Sequence, residues 1–163
     1  MTTLFSLSQQ VGLQLLRSQQ VLTSAESCTG GGVAFAITDI PGSSAWFDRA
    51  FVTYSNGAKQ EMIGVQSQTL AEFGAVSEPV VQEMVQGALA HSNATIGVAI
   101  SGIAGPDGGN EEKPVGTVCF AWADTNGWQK IETRHFLGDR AQVRQQAIIH
   151  ALQTLADYLP RLG

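Results

Sequence analysis

The sequence predicts an α/β fold: a three-layer α/β/α sandwich around a mixed sheet of roughly five strands. The first observation is that short apolar, β-prone segments alternate with segments of helical periodicity along the 163 residues. The second is that the last two β-prone segments follow each other across a turn at residues 124–127, typical of a hairpin. A hairpin argues against an all-parallel sheet. Because there is no repeat or linker, a single domain over residues 1–163 is predicted.

Each predicted strand is short and bounded by turn residues. The third is the most convincing, since it is apolar throughout and ends in a glycine-rich loop. The predicted strands cover residues 21–25, 50–54, 95–100, 115–123 and 129–136.

Helices are predicted from apolar spacing and from capping residues. Leu4, Leu7, Val11 and Leu15 recur at helical spacing, so the chain opens with an amphipathic helix. A second, short helix is predicted over residues 33–37, ahead of a Pro-Gly pair. Three further helices are predicted to begin at polar caps, which are Asn56, Ser77 and Asp139.

Composition excludes several classes of function. A net charge of -5 and a pI near 5.0 leave no basic stripe for nucleic acid. No apolar run reaches the roughly 18 residues of a membrane span, and the N-terminus lacks the pattern of a signal peptide. The two cysteines form no metal-binding motif, so neither a disulfide framework nor a structural zinc site is expected. We expect a cytoplasmic protein, and the low charged fraction of 14% suits an oligomer.

The first candidate for chemistry is the turn Glu26–Gly32, which leads from a predicted buried strand into a helix. Its glycines let the backbone approach a ligand, and a helix N-terminus offers N–H groups to an anion. Ser27 and Cys28 lie at the mouth of the turn, beside donors that could hold an oxyanion. A turn selected only for tight packing of helix on sheet is the alternative.

A second candidate segment, residues 53–59, follows another predicted strand. Lys59 is one of three lysines, and burial near an apolar pocket would lower its pKa and let it serve a serine as general base. Tyr54 could relay a proton. The alternative is a solvated lysine and an ordinary tyrosine at the end of a strand.

A glycine-rich loop, Ser101–Gly109, forms the third candidate, because successive N–H groups in such a loop can hold a phosphate or carboxylate. Other sites are disfavoured. None of the three histidines lies on a loop that follows a predicted strand, which argues against a Ser-His-Asp triad. The glycine run matches neither a P-loop nor a dinucleotide fingerprint.

Five motifs occur together and in order, namely the segments 23–31, 52–59, 74–77, 101–109 and 113–118. Together they resemble the CinA C-terminal-domain family. The resemblance runs from about residue 8 to 158 and is strongest to its stand-alone bacterial members, which are nicotinamide-nucleotide amidohydrolases. The family fold is a three-layer α/β/α sandwich with a mixed five-stranded sheet, and members are commonly dimers.

The resemblance implies hydrolysis of the carboxamide of nicotinamide mononucleotide to nicotinate mononucleotide and ammonia, in pyridine-nucleotide salvage. It implies Ser27 as the nucleophile and Lys59 and Tyr54 as its base system, with no cofactor. Nucleic acid and membrane partners are not expected. A homo-oligomer is expected, and a dimer is favoured. The substrate contacts that it implies are Thr29, Gly30, Gly31, Ser44, Ser101, Gly102, Ala104, Gly105 and Arg140.

Two alternatives remain open at this point. Cys28 could replace Ser27 as nucleophile, as in thiol amidases. The chain could also be a non-catalytic, nucleotide-binding module associated with competence, the role that the family's name suggests.

Overall fold

The computed structural model describes residues 3–162 and contains one five-stranded sheet in the order β2-β1-β3-β4-β5. Strand β1 is parallel to both β2 and β3, whereas β4 is antiparallel to β3 and β5. The predicted mixed sheet is therefore confirmed. Met1, Thr2 and Gly163, which the predicted domain bounds include, lie outside the described residues. The strands are β1 Leu22–Glu26, β2 Phe47–Val52, β3 Ile96–Gly102, β4 Thr117–Asp124 and β5 Gln129–His135.

Helices cover both faces of this sheet, as the predicted three-layer sandwich requires. Helices α1, α2 and α6 enclose one apolar core, and α3, α4 and α5 enclose the other. Among residues 3–162, no helix is long and apolar enough to cross a membrane. The helices are α1 Leu4–Ser18, α2 Gly32–Thr38, α3 Asn56–Ile63, α4 Ser67–Phe73, α5 Glu78–Ala90 and α6 Arg140–Tyr158.

Strand β4 shows how one apolar run serves both cores. Side chains alternate between the two faces of a strand. Its large residues, Phe120 and Trp122, face the core of α1, α2 and α6, where their rings stack at 5.3 Å. Its small residues, Cys119 and Ala121, face the core that contains α5. Burial of both faces explains why β4 reads as a continuous apolar run.

The predicted N-caps were right for α5 and α6 and wrong by one residue for α3. Asp139 caps α6 and forms a reciprocal capping box with Gln142. Ser77 is the N-cap of α5, although its hydroxyl donates to the carbonyl of Gly74. The prediction that Asn56 caps α3 was wrong, because Ser55 accepts the capping hydrogen bond and Asn56 is the first helical residue.

Two further differences concern the second strand and α4. Strand β2 ends at Val52, so the segment 53–54 belongs to the loop after it. The sequence did not predict α4, which contributes only Leu70 to the core and so shows little apolar periodicity.

Topology brings three loops to one edge of the sheet. Parallel strands β2, β1 and β3 all deliver their carboxyl ends there, and β1 lies between the other two. The chain leaves β1 toward β2 on one side, while β3 joins on the other. In open α/β sheets, a crevice forms at this kind of switch in strand order, and ligands bind there.

Candidate active site

Ser27 lies at the centre of this crevice, directly after β1. Its N–H donates to the carbonyl of Ile100 at 3.0 Å, which extends the ladder by one residue beyond the strand. Glu26, just before it, pairs with Val52 on one side and Ile100 on the other. The segments that follow β2 and β3 therefore flank Ser27, and the three candidate regions predicted from the sequence come together.

Lys59 reaches Ser27 from α3. Ser55 caps that helix, and Lys59 lies one turn inside it, where side chains lean toward the helix N-terminus. Lys59 Nζ lies 3.1 Å from Ser27 Oγ, and it donates to the carbonyl oxygens of Thr53 at 2.8 Å and Tyr54 at 3.1 Å. The 32 positions between the two side chains are thus bridged by a direct contact.

Burial of Lys59 works against its charged form. The side chain is only 1% exposed, and no carboxylate lies within 4 Å of it in the described chain. Burial lowers the pKa of Lys59 below its ordinary value, because the low-polarity surroundings destabilise the ammonium. A neutral amine beside a serine hydroxyl can accept a proton, which an ammonium cannot.

A cavity of about 300 Å³ opens above this pair. Ser27 and Lys59 lie among its lining residues, together with Cys28 and Tyr54. Arg140, the first residue of α6, brings a guanidinium into the lining. Of the predicted substrate contacts, Ser101, Gly102, Ala104, Gly105 and Arg140 line the cavity.

Tyr54 spans the wall between the Ser–Lys pair and Arg140. Its carbonyl oxygen accepts from Lys59 Nζ, and its hydroxyl lies 3.5 Å from Nη2 of Arg140. Arg140 Nη1 in turn donates to the carbonyl of Gly105 at 2.8 Å. The tyrosine side chain is 63% exposed, and its hydroxyl has Arg140 as its partner and makes no hydrogen bond with Ser27.

The N–H groups at the start of α2 are already paired within the protein and are not free for a ligand. The carboxylate of Glu26 accepts from the N–H groups of Val33 and Ala34, the first turn of α2. Thr29 is 1% exposed, and its hydroxyl also donates to Glu26. Gly30 and Gly31, which adopt positive φ values of 60° and 96°, shape the turn and do not line the cavity.

Ser44 is not brought together with the other predicted contacts. It belongs to a short 3-10 helix, Ser43–Ala45, that precedes β2. The N–H of Leu22 donates to the carbonyl of Trp46, so this segment lies at the amino end of β1. Ser27 lies at the opposite, carboxyl end of that strand.

Cys28 is a poor candidate for the nucleophile on electrostatic grounds. Burial raises the pKa of its thiol to about 12, so almost no reactive thiolate exists near neutral pH. Its carbonyl oxygen accepts from Nε of Arg144 at 3.0 Å, which ties the turn to α6.

Comparison with known proteins identifies the family of this chain. The CinA C-terminal domain model matches residues 4–159. The chain belongs to the CinA C-terminal domain family.

Relatives and solved structures of the CinA family cover nearly the whole chain. A protein of Escherichia coli (strain K12) named nicotinamide-nucleotide amidohydrolase PncC is 61% identical over 152 residues, 93% of this chain and 92% of the relative. A Pseudomonas putida protein of the same name is 50% identical over 155 residues, 95% and 96% of the two chains. The crystal structure of a CinA superfamily protein from Klebsiella pneumoniae 700603 superposes with a TM-score of 0.94 at 39% identity, covering 98% and 99%.

Some residues of this CinA domain that line the cavity or support the site were not predicted individually, although Asp107 and Gly108 lie in the Ser101–Gly109 loop, which was predicted as a whole. Ala75 and Val76 line the cavity from the segment before α5, and Asp107 and Gly108 line it from the loop after β3. Both segments had been recognised as sequence motifs, but the motifs did not indicate which of their residues would line the cavity. Arg144 follows Arg140 by one helical turn, a spacing that puts both on one face of α6.

Proposed function

We propose that this chain hydrolyses the carboxamide of nicotinamide mononucleotide to nicotinate mononucleotide and ammonia, as a step of pyridine-nucleotide salvage. The observation that carries the proposal is the contact of 3.1 Å between Ser27 Oγ and the buried Nζ of Lys59. The names of the Escherichia coli and Pseudomonas putida relatives support the choice of substrate.

The three neighbours of Lys59 Nζ support its role as base. A neutral amine has two N–H groups and one lone pair. The carbonyl oxygens of Thr53 and Tyr54 can only accept hydrogen bonds, so they take the two N–H groups. In the neutral amine, the remaining contact, to Ser27 Oγ, leaves the lone pair to accept the hydroxyl proton, whose other acceptor is the carbonyl oxygen of Tyr54 at 3.4 Å.

The proposed reaction has two halves. Ser27 Oγ attacks the carboxamide carbon as its proton passes to Lys59 Nζ, which forms a tetrahedral intermediate. The C–N bond then breaks, the Lys59 ammonium returns the proton to the leaving amine, and ammonia departs. Water, deprotonated by Lys59, attacks the acyl ester, and the carboxylate product leaves as Ser27 regains its proton.

Donors for the oxyanion are available close to the nucleophile. The N–H of Cys28 makes no backbone hydrogen bond within residues 3–162, and it belongs to the peptide directly after Ser27. A preorganised N–H at this position stabilises negative charge on the former carbonyl oxygen. We assign the oxyanion to this N–H and to the neighbouring Ser101–Gly105 loop.

Orientation of the substrate follows from the charges of the cavity. Since Glu26 already occupies the N–H groups at the start of α2, the phosphate is assigned to Arg140 and the loop after β3. The fork of a guanidinium suits the oxygens of a phosphate. With the phosphate at Arg140 and the carboxamide at Ser27, the substrate lies along Tyr54.

We further propose a homodimer that acts in the cytoplasm. Phe35 and Leu137 are 76% and 88% exposed, the kind of apolar side chain that a second copy can cover. Cys28 and Cys119 are both free thiols, which agrees with a reducing compartment. Light scattering after size-exclusion chromatography measures the dimer, and a monomer at micromolar concentration would contradict it.

The test is ammonia release from nicotinamide mononucleotide by Ser27→Ala beside a matched control. The control is Ser67→Ala, at an exposed position at the start of α4. Ser27→Ala should lose ammonia release and the acyl-enzyme mass, and the control should keep both. Since this variant retains Cys28, full activity would favour the thiol and sink the serine assignment. Nucleotide binding by the wild type without turnover would indicate the non-catalytic module.

A further inference from the structure

The side chain of Glu26 is the most completely buried charged group beside the nucleophile. It is the last residue of β1 and is 0% exposed. In the chain from 3 to 162, no lysine, arginine or histidine nitrogen lies within 4 Å of its carboxylate. A buried carboxylate without a cation requires hydrogen-bond donors in its place.

Four donors surround this carboxylate symmetrically. Oε1 accepts from the hydroxyl of Thr29 at 2.7 Å and the N–H of Val33 at 2.9 Å. Oε2 accepts from the hydroxyl of Ser24 at 2.8 Å and the N–H of Ala34 at 3.1 Å. Each oxygen therefore takes one hydroxyl and one backbone N–H. A backbone N–H can only donate, so both oxygens must be acceptors.

These hydrogen bonds close a ring around Ser27. The chain leaves Glu26, passes through Ser27 and the glycines, and returns at Val33 and Ala34 to the same carboxylate. Gly31, the N-cap of α2, has no side chain with which to cap the helix. The Glu26 carboxylate supplies the missing acceptor, and its negative charge suits the helix N-terminus.

Glu26 also joins the nucleophile to the base through its backbone. Its carbonyl oxygen accepts from the N–H of Thr53 at 2.9 Å. The carbonyl of Thr53 is in turn the shortest contact of Lys59 Nζ, at 2.8 Å. One residue therefore connects both members of the Ser–Lys pair.

We propose that Glu26 is a positioning residue whose carboxylate holds Ser27 Oγ within reach of Lys59. The proposal rests on the proposed function for its substrate, but the geometry it concerns is independent of that substrate. Glu26 does not touch the reacting atoms. It acts by fixing the turn that carries Ser27.

Glutamine at this position changes the hydrogen-bonding groups of the side chain while it keeps the shape of glutamate. Its NH₂ group must replace one oxygen, and either position puts it against a backbone N–H, of Val33 or of Ala34. Two donors then face each other, and the turn must shift. A displacement near 1 Å at a reacting group costs roughly 10²-fold in rate.

The experiment compares Glu26→Gln with Glu61→Gln, an exposed position on α3. We expect Glu26→Gln to lower kcat by roughly 10²-fold while KM stays within about threefold. In the wild type, Lys59 should make the rate at which a fluorophosphonate labels Ser27 rise with pH. In Glu26→Gln this rise should be absent. A kcat within threefold of that of Glu61→Gln would overturn the proposal, as would an unaltered pH profile of labelling.

Two safeguards keep the result decisive. If Glu26→Gln does not fold, Thr29→Val and Thr29→Ser replace it, because only the serine variant retains a hydroxyl donor to Oε1. A lower kcat in the valine variant alone supports positioning, and equal kcat values in both overturn it. If the wild type releases no ammonia, the proposed function fails, but fluorophosphonate labelling of Ser27 still tests Glu26.

Discussion

Replacement of Lys59 by methionine isolates the contribution of the base. Methionine has a similar length and no polar hydrogen, so it fills the buried position without leaving a cavity. The change removes the lone pair that faces Ser27 Oγ at 3.1 Å. Loss of a general base lowers kcat/KM by about 10² to 10⁴-fold, which corresponds to about 2.7 to 5.4 kcal/mol of transition-state stabilisation.

The same substitution has a limited effect on stability. The carbonyl oxygens of Thr53 and Tyr54 each lose a donor from Lys59. A buried polar group left unpaired costs about 1 to 3 kcal/mol. Removal of a buried amine offsets part of this cost. Since small domains have about 5 to 15 kcal/mol of unfolding free energy, the variant should remain folded.

The unfolding free energy of the wild type depends on pH because Lys59 is buried. Burial lowers the pKa of Lys59 in the folded protein, so the unfolded chain binds more protons between that lowered pKa and the ordinary one. The wild-type unfolding free energy therefore increases as pH rises through this window. Below the lowered pKa, the folded protein bears the full cost of burying the Lys59 ammonium. The methionine variant lacks this dependence, as urea unfolding at a series of pH values will show.

The kinetic assay is ammonia release from nicotinamide mononucleotide across the pH range. For the wild type, kcat/KM should rise with pH and level off above the lowered pKa of Lys59, whereas Lys59→Met should show no such limb. Circular dichroism confirms that the variant is folded. A variant that keeps kcat/KM within tenfold of the wild type, or keeps the limb, would refute the role of Lys59 as base.

Two further predictions concern the wall of the cavity. Tyr54→Phe should keep kcat within about threefold, because the hydroxyl faces Arg140, 3.5 Å away, and has no hydrogen bond with Ser27. A fall of 100-fold in the steady-state assay would instead support the proton relay predicted from the sequence. Arg140→Gln should raise KM for nicotinamide mononucleotide by about 10 to 100-fold with kcat unchanged, since a hydrogen bond to a charged group contributes about 1.5 to 3 kcal/mol. An unchanged KM would show that the phosphate binds elsewhere.

Local signals in the sequence were sufficient for most elements of the fold. The hairpin of β4 and β5 and the cap at Asp139 are each specified by a few neighbouring residues, so their prediction needed no tertiary information. Helix α4 was missed because only Leu70 is buried along it. Strand β2 was misplaced because its residues are half-buried and lack a sharp boundary.

Some site residues could be predicted from the sequence, whereas the contacts of others depend on the fold. Lys59 follows from sequence as a scarce lysine near the end of a strand, and the structure brings it to Ser27. Thr29 was predicted to contact substrate, but its hydroxyl bonds to Glu26 instead. A Glu before a glycine turn does not reveal whether its side chain turns inward to the helix or outward to a ligand. That choice depends on which donors the folded chain presents.

The sequence by itself determined most of the elements, the cap at Asp139 and the loops that carry the chemistry, because hydrophobic periodicity and capping act over a few residues. Only the tertiary structure decided which loop ends meet. The order β2-β1-β3 brings Lys59 beside Ser27 and leaves Ser44 at the opposite end of β1. Strand pairing is non-local, and the burial that lowers the pKa of Lys59 exists only after the strands and helices have packed together.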